Sequence, residues 1–442
     1  MALCAIRVHL RLPLFPPQGH PPPPGNKNHK SATPSAAMPL SLPTHPLRTI
    51  PESCRRALKW DSTSGLLGGL FSGALFPFLG VIARHDLHAS TYLIALLASS
   101  GAVGNLFNPV VAHYIRERKK LPYVVWPLAL GRCVFFLMPL ALTAPIFVGI
   151  GFLANFIGAM AGPAYAAVIR DAYPAARRGR FMGLVRVLAV MGAMVGSAAG
   201  GIILARWDFR LVFPVVAVVG VLSMVAFSRI GVTAAPEDNG LPQMRLRDTF
   251  AIIRHDKSFK LYCTCFYLYG FGNLITSPIV PVIQVDQLHI TSQWVGYLAT
   301  AGAASSILGY LYWGRVLDRR GPFRLMLMVI AVIVVAPITY FFARSVPVLL
   351  IASCAQGFAW SGGDLGNMNA AMRFGRRENA AAYAGMFAFL QAMRGIPGPF
   401  LGAALSHLIG PRPVFLIALG FWMASAWVLL TSGALRLNTE VE

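Results

Sequence analysis

Residues 314–324 read Gly-Arg-Val-Leu-Asp-Arg-Arg-Gly-Pro-Phe-Arg and separate two apolar runs, each long enough for a membrane-spanning helix. One aspartate, Asp318, stands among four arginines, so this stretch is too polar to lie in hydrocarbon. Gly314 and Gly321 allow close backbone approach and dihedral angles that other residues avoid. The stretch therefore predicts a tight, charged turn between two membrane spans.

The composition of the whole chain is that of a membrane protein. Of its 442 residues 56% are hydrophobic and 12% are charged, whereas soluble domains carry about 25% charged residues. The net charge of +22 comes from Lys and Arg in short segments between apolar runs. Basic residues in such segments are typical of loops that set the orientation of a membrane protein, and not of a phosphate-binding surface. We expect a lipid bilayer, and no nucleic acid, among the partners.

Twelve apolar runs are long enough to cross the bilayer, which needs roughly 20 helical residues. The predicted domains are a basic, Pro-rich and disordered tail (1–55), a first six-helix bundle (56–232), a linker (233–260), a second bundle (261–435) and a short tail (436–442). The predicted spans are 64–83, 90–112, 122–143, 145–169, 181–205, 211–232, 261–283, 292–314, 325–343, 346–372, 379–406 and 413–433.

The loops between these runs predict the orientation. The alternate loops that include 113–121, 170–180 and 315–324 hold twenty Lys and Arg, against five in the other set. Because basic loops stay in the cytoplasm, we expect both termini there, in a multi-pass protein of the cell (plasma or inner) membrane. No apolar segment before a small-residue cleavage site indicates a secretory signal; an organelle-targeting peptide, or a start at Met38, stays open.

The charged turn resembles the loop signature of the major facilitator superfamily, G-x-x-x-D-R-x-G followed by basic residues. Gly314, Asp318, Arg319 and Gly321 match it, with Arg324 just beyond. The resemblance covers about residues 55–435 and implies an all-α integral membrane fold of twelve helices in two pseudo-symmetric bundles around a midplane site. It also assigns these five residues to a gating loop.

Two glycine-rich segments indicate an internal repeat. Gly183, Gly192, Gly196, Ser197, Gly200 and Gly201 in span five resemble the antiporter signature of the superfamily, with serine in place of its proline. Gly385, Arg394, Gly398, Pro399 and Gly402 recur at the same offsets in span eleven. Small residues at this spacing favour close helix packing, which we expect to be their first role. The first-half counterpart of the charged turn, near 109–120, has His113 in place of the aspartate.

Four ionisable residues fall within predicted spans: Arg132, Arg186, Asp364 and Arg394. Such groups are costly in hydrocarbon, so each needs a partner or a function. Asp364 is the one carboxylate that the predicted boundaries place deep inside a span. It shares a polar helix face with Gln356, Trp360 and Asn367, which suits the wall of a water-filled cavity. Asn155 and Asn273 lie in spans that the resemblance places around the same cavity.

Each candidate has a structural alternative. For Arg132 we expect a hydrogen bond to a neighbouring helix, because the resemblance places span three at the periphery. Asp364 and Arg394 could form an ion pair with each other, and the asparagines could join helices. We expect at least one of Arg186 and Arg394 to point its guanidinium into the cavity, unpaired with protein carboxylates, where an anionic substrate would be its natural partner.

The sequence predicts a secondary transporter and no enzyme. It has no nucleotide-binding loop of the form G-x-x-x-x-G-K-[S/T], no metal-ligand spacing among its six cysteines and no catalytic constellation, so no cofactor is expected. We expect a monomer that moves a small molecule by alternating access, with protons as the coupling ion and Asp364 as a candidate carrier. Efflux of an organic compound, uptake of an anion or nutrient, and a non-transporting receptor or assembly protein of the same fold stay open.

Overall fold

The fold is all helical throughout the part of the chain that the structure describes. It is a computed structural model that describes residues 52–115, 118–231, 256–374 and 389–432, with the side chains of 52–53, 175–177 and 367–374 excepted. The predicted N-terminal tail up to residue 51, most of the linker and the C-terminal tail lie outside these ranges.

The helices before residue 232 form the first half of the molecule. They are α1 (Glu52–His85), α2 (Thr91–Leu106), α3 (Asn108–Tyr114), α4 (Pro122–Cys133), α5 (Ala144–Ala159), α6 (Gly162–Ala172), α7 (Ala175–Leu204) and α8 (Phe209–Ser228). A 3₁₀ helix, Val134–Leu140, continues α4 past Pro139 to the predicted reversal before Pro145. Helix α1 begins twelve residues before the predicted start of span one.

The helices after residue 255 form the second half. They are α9 (Lys257–Thr276), α10 (Ile279–Val282), α11 (Ser292–Ile333), α12 (Val335–Phe342), α13 (Leu349–Phe374), α14 (Pro397–Ile409) and α15 (Pro411–Thr431). A π-helical turn, Ile283–Gln287, prolongs α10. The first part of predicted span eleven, 379–388, lies outside the described residues.

Helix α11 contains two membrane spans that meet at Gly321. This glycine has φ 73° and ψ 175°, a conformation that side-chain-bearing residues rarely adopt. Trp313 and Val329 lie sixteen positions apart, about 24 Å in a straight helix, yet both lie against Gly362 of α13. The chain therefore reverses at Gly321, as the sequence predicted. The expected close approach at Gly314 is wrong, because a Cβ there would meet nothing within 4 Å.

The described helices are apolar on their outer surfaces as well as inside. Ten stretches are long and apolar enough to cross a membrane, and one of them, Ser292–Phe342, supplies two spans through the reversal at Gly321. Leu408, Phe342 and Val215 are exposed by 78%, 70% and 66%. Such exposure is unfavourable in water and natural in lipid. The protein is therefore a multi-pass membrane protein.

Glycines bring α1 and α7 into backbone contact. On α1, Gly69 lies against the carbonyl of Ala189 and Gly73 against that of Ala193. On α7, Gly192 lies against the carbonyl of Leu66 and Gly196 against that of Leu70. Gly200, also on α7, lies against Ala74 and Phe78. The packing role predicted for these span-five glycines is confirmed. Gly183 is different, because a Cβ at this position would meet open space.

The two halves meet at the face of the molecule that lies opposite the basic loops, here called the opposite face. Gly80 of α1 lies against Pro281 of α10, and Gly201 of α7 lies against Gly296 of α11. Arg84 joins them with a bidentate ion pair, its Nε donating to Oδ1 of Asp286 at 2.9 Å. These contacts close the opposite face. The face that carries the basic loops is called the basic face below.

A pair of histidines occupies equivalent turns near this closure. His88 and His289 have φ of 51° and 48°, the two positive values found among the described non-glycine residues. Each follows a leucine and stands shortly before an N-capping hydroxyl, Ser90 for α2 and Thr291 for α11. The turns therefore share both sequence and backbone conformation.

Candidate functional site

A central cavity of about 820 Å³ lies between the two halves. Four of the predicted site residues line it: Asn155 from α5, Asn273 from α9, and Gln356 and Trp360 from α13. Trp360, one of these lining residues, is 70% exposed. The rest of the lining consists of apolar residues, serines, a threonine, tyrosines, glycines and a further glutamine, without any charged side chain among the described residues.

An ion pair crosses between the halves one helical turn from Trp360. Arg186 of α7 donates from one guanidinium nitrogen to both carboxylate oxygens of Asp364, at 2.8 and 2.7 Å. Tyr310 of α11 donates its hydroxyl to the same carboxylate at 2.8 Å. The two charged side chains are 52% and 29% exposed. The pair is therefore reachable from open space, and any motion of one half against the other must act on it.

Arg394 is held by backbone carbonyls, and none of the described carboxylates pairs with it. Its guanidinium donates to the carbonyls of Phe266 and Tyr267 and lies 4.5 Å from the centre of the Phe266 ring. It fills the notch left by Gly270, where a Cβ would overlap the guanidinium. Only 8% of the residue is exposed. The chain therefore uses Arg394 to join its helix to α9.

The expectation of an arginine aimed into the cavity without a protein partner is wrong. Arg186 has a carboxylate, and Arg394 is capped between helices. The alternative pairing of Asp364 with Arg394 is also wrong, because Asp364 pairs with Arg186 across the two halves. These contacts remove the structural argument for an anionic substrate. Whether Asp364 carries a coupling proton stays a prediction.

Arg132 has the structural role that its position predicted. Its Nη1 donates to the Gly220 carbonyl at 2.5 Å and to the Ser223 hydroxyl at 2.8 Å, both on α8. The guanidinium also lies 5.2 Å from the centre of the Phe71 ring. These contacts tie α4 to α8 and α1, so the predicted hydrogen bond to a neighbouring helix is confirmed.

The predicted gating residues lie around the reversal in the middle of α11, on the basic face. Asp318 and Arg319 are exposed, Arg324 is half-buried, and Gly321 supplies the reversal. No ion pair of Asp318 is present among the described side chains. Its predicted contact with the basic end of α7 belongs to a state closed on the basic face, and it stays a prediction. The side chain of Asn367 lies outside those that the structure describes.

A buried carboxylate, Asp61, was missed in the sequence. It is 3% exposed on α1 and accepts a hydrogen bond from the Tyr173 hydroxyl at 2.7 Å. The predicted span began at residue 64, which left Asp61 in a loop and made Asp364 the one deep carboxylate. That boundary is wrong, because α1 starts at Glu52 and Asp61 lies within the helix. The signal available was the apolar periodicity that continues back through Leu58 and Ala57.

The other missed contact is the ion pair at the opposite face. Arg84 and Asp286 were both placed in or beside loops, and a sequence pattern does not show which loops meet. Together with Arg186 and Asp364 they form the two ion pairs that join the halves among the described side chains. One lies at the closed face and the other lies beside the cavity.

Two helical halves that enclose a central cavity, with ion pairs linking one half to the other, define a secondary transporter of the membrane. The sequence comparison agrees with this class. The model of the Major Facilitator Superfamily matches residues 62–399, and the chain belongs to that family. It is a transporter and not an enzyme.

Similar proteins fall in the same class. The chain is 24% identical over 396 residues to the multidrug resistance protein MdtG of Klebsiella pneumoniae, covering 83% of this chain and 92% of that protein. It is 25% identical over 281 residues to the MdtG of Serratia proteamaculans, a match that spans 61% of this chain and 65% of the relative.

Solved structures show the same fold at lower identity. A mutant of the nucleoside transporter NupG superposes with a TM-score of 0.70 at 15% identity, covering 85% of this chain and 99% of that one. A bacterial homologue of the human lysosomal transporter Spinster, in an inward-facing and unoccupied conformation, gives a TM-score of 0.65 at 12% identity, with coverage of 88% and 98%.

Proposed function

We propose that this transporter exports a small organic compound from the cell in exchange for protons. The cavity carries the argument: about 820 Å³ of space whose described lining is uncharged, with Trp360 exposed and no described arginine in the lining for an anion. Such a lining suits neutral or cationic amphipathic molecules. The relatives named as multidrug resistance proteins support the same direction of transport.

We propose that the protein lies in the plasma or inner membrane of the cell. In the proposed orientation the basic loops and both termini lie in the cytoplasm. The opposite face, closed by Arg84 and Asp286, then looks outward. Alternating access would open this face and close the basic one. We propose that one chain suffices for transport, because the cavity is enclosed by the two halves of a single chain.

The test is a flux assay in proteoliposomes with three fluorescent dyes of similar size that are neutral, cationic or anionic. An acidic interior should drive accumulation of the neutral or the cationic dye, because outward proton flow powers inward movement of the exchanged solute. Trp360→Ala should lower the flux at least several-fold. Trp427→Ala is the matched control, because Trp427 is 66% exposed on α15 and does not line the cavity.

Other outcomes favour other functions. Accumulation of the anionic dye alone would support uptake of an anion and contradict export of amphipathic compounds. A dye flux that is the same with and without the pH gradient would contradict exchange with protons. Dye that binds the purified protein without flux of any kind would favour a receptor or assembly protein, for which the substituted loop at His113 is the sequence argument.

A further inference from the structure

Three cations meet at one corner of the molecule, where α1 begins and α8 ends. Arg56 and Lys59 lie on the first two turns of α1, and Arg229 is the C-cap residue of α8. All three residues are exposed. Cys54 of α1 contacts the Ala172 carbonyl, beside the basic loop that follows α6, so this corner lies on the basic face. The three cations are called the basic corner below.

A tryptophan ring brings two of these cations together. The Lys59 ammonium lies 5.7 Å from the centre of the Trp60 ring, and the Arg229 guanidinium lies 5.0 Å from it. Trp60 is half-buried. Tryptophan is enriched where a membrane meets water, so the ring indicates that the basic corner lies at the level of the lipid headgroups.

None of the described carboxylates forms an ion pair with the basic corner. The six ion pairs among the described side chains all lie elsewhere in the fold. Asp61, the residue after Trp60, is buried and accepts its hydrogen bond from Tyr173. The C-terminus of α8 supplies about half a negative charge, which is too little for three cations. The basic corner therefore suits an anion from outside the described chain.

The two helices that carry the basic corner are held together by direct contacts. A Cβ at Gly231, just beyond α8, would lie 3.4 Å from Nε of Arg56, so this α1 side chain reaches the end of α8. The Ser223 hydroxyl of α8 donates to the Ser64 carbonyl of α1 at 3.1 Å. Both serines lie within about two helical turns of the cations. Both helices belong to the first half, so motion between the halves leaves the basic corner intact.

An exposed apolar stripe on α8 leads to the basic corner. Its members follow one another at steps of three or four residues and so share one side of the helix. They are Leu211, Val215, Val218, Leu222 and Val225. Arg229 follows at the next step of four residues. A free phosphate ion would make no use of this stripe, whereas the acyl chain of a lipid would lie along it next to its headgroup.

We propose that the basic corner binds the phosphate of an anionic phospholipid in the leaflet at the basic face. Arg56 and Arg229 donate N–H groups to the phosphate oxygens, which arginine suits through its paired donors. Lys59 adds an ammonium group at the edge of the headgroup, and an acyl chain lies along the stripe of α8. Basic pockets between transmembrane helices bind anionic headgroups in this way. Such binding does not depend on which compound the protein transports.

The second half has an equivalent corner with a different set of groups. Its first helix, α9, begins with Lys257 and carries Lys260 one turn later, and both residues are exposed. The C-cap residue of its last helix, α15, is Ser432, at the place that Arg229 takes in the first half. The last helix thus lacks a cation at this place, and the two lysines provide an internal control.

The test uses native mass spectrometry of the full chain in detergent, with phosphatidylglycerol and phosphatidylcholine of the same acyl chains. Wild type should bind phosphatidylglycerol several-fold more tightly. The double variant Arg56→Gln/Arg229→Gln should weaken that binding by about tenfold or more and leave phosphatidylcholine unaffected. Lys257→Gln/Lys260→Gln removes the same charge from the equivalent corner and should bind as wild type does. An excess of inorganic phosphate should not displace the lipid.

A second measurement needs no variant. Sulfosuccinimidyl acetate acetylates exposed lysines, so the acetylated fraction of Lys59 reports whether its ammonium group is covered. Saturating phosphatidylglycerol should reduce that fraction several-fold relative to phosphatidylcholine, whereas Lys257 and Lys260 should change little. This readout covers the case in which Arg56→Gln/Arg229→Gln fails to fold.

Three results would overturn the inference. The first is equal affinity of wild type for the two lipids, and the second is an affinity for phosphatidylglycerol that Arg56→Gln/Arg229→Gln leaves unchanged. The third is equal protection of Lys59 and the two α9 lysines, which would indicate a diffuse attraction to the micelle surface. Displacement of the lipid by inorganic phosphate would contradict the role of the α8 stripe and make a free anion the ligand.

Discussion

Three arginines that lie within predicted spans have three different roles. Arg132 ties α4 to α8, Arg394 fills a notch on α9, and Arg186 pairs with a carboxylate across the cavity. The difference comes from what each helix packs against. In the first half Gly192 lies against Leu66, whereas at the equivalent place in the second half Arg394 lies against Gly270. In the first half the glycine is on α7, the later helix of the pair, whereas in the second half it is on α9, the earlier helix.

This exchange predicts that Gly270→Ala destabilises the protein. The new methyl group would overlap the Arg394 guanidinium, and crowding of this kind costs about 1–3 kcal/mol. The melting temperature in detergent should therefore fall. Gly314→Ala is the control, because open space surrounds Gly314 and alanine favours helix by about 1 kcal/mol. A melting temperature unchanged by Gly270→Ala would contradict the role given to Arg394.

At the residue scale, sequence reasoning found the right candidates more often than the right partners. Gln356 and Trp360 line the cavity because the helical period puts them on one face of α13. Asn155 and Asn273 also line it, in spans that the family resemblance placed there. Asp364 was found by its charge. Its partner Arg186 lies 178 positions away in the chain, and such a pairing depends on how two helices pack, which no local pattern encodes.

At the scale of elements, the glycine patterns and the charged turn were informative. Gly321 was predicted from a turn between two apolar runs, and its positive φ confirms it. The predicted start of α1 was twelve residues too late, because Lys59 and Asp61 interrupt the apolar pattern near the N-terminus of the helix. Hydropathy locates the hydrocarbon-spanning part of a helix, and not the turns that extend beyond it.

The turn at Gly321 within α11 makes Asp318 a gate residue in the predicted mechanism. Asp318→Asn should lower the rate of dye flux several-fold while leaving the yield and melting temperature of the protein unchanged. The reason is that a carboxylate stabilises a helix N-terminus, here the basic end of α7, only when the basic face is closed. The exposed Asp86→Asn is the matched control. Wild-type flux in Asp318→Asn would remove the gating role.

The whole molecule is held closed on one face by contacts of two kinds. Glycine and proline bring the helix ends together, and the Arg84–Asp286 pair adds charge at the rim. Side chains that are 27% and 35% exposed are partly screened by solvent, so the pair contributes modestly. A modest contribution suits a contact that must break once in every transport cycle.

Arg84→Gln should therefore shift the protein toward the state that is open on this face. The loss of about 0.5–1 kcal/mol corresponds to a change of about two- to fivefold in the ratio of the two states. Spin labels at His88→Cys and His289→Cys, in a chain without its native cysteines, would show a larger share of long distances. Arg206→Gln, at an exposed arginine in the loop between α7 and α8, is the control and should leave the distribution unchanged.

The paired histidine turns bear on where the two halves came from. A left-handed backbone at a residue other than glycine is uncommon, yet His88 and His289 share it, with the same leucine before them. Common descent explains this more simply than two separate origins: an ancestral gene for six helices was copied, and both copies kept the turn. Elsewhere the copies drifted apart, with histidine in one and aspartate in the other at 113 and 318. Inheritance has thus preserved the turn at the opposite face more faithfully than the turn at the basic face.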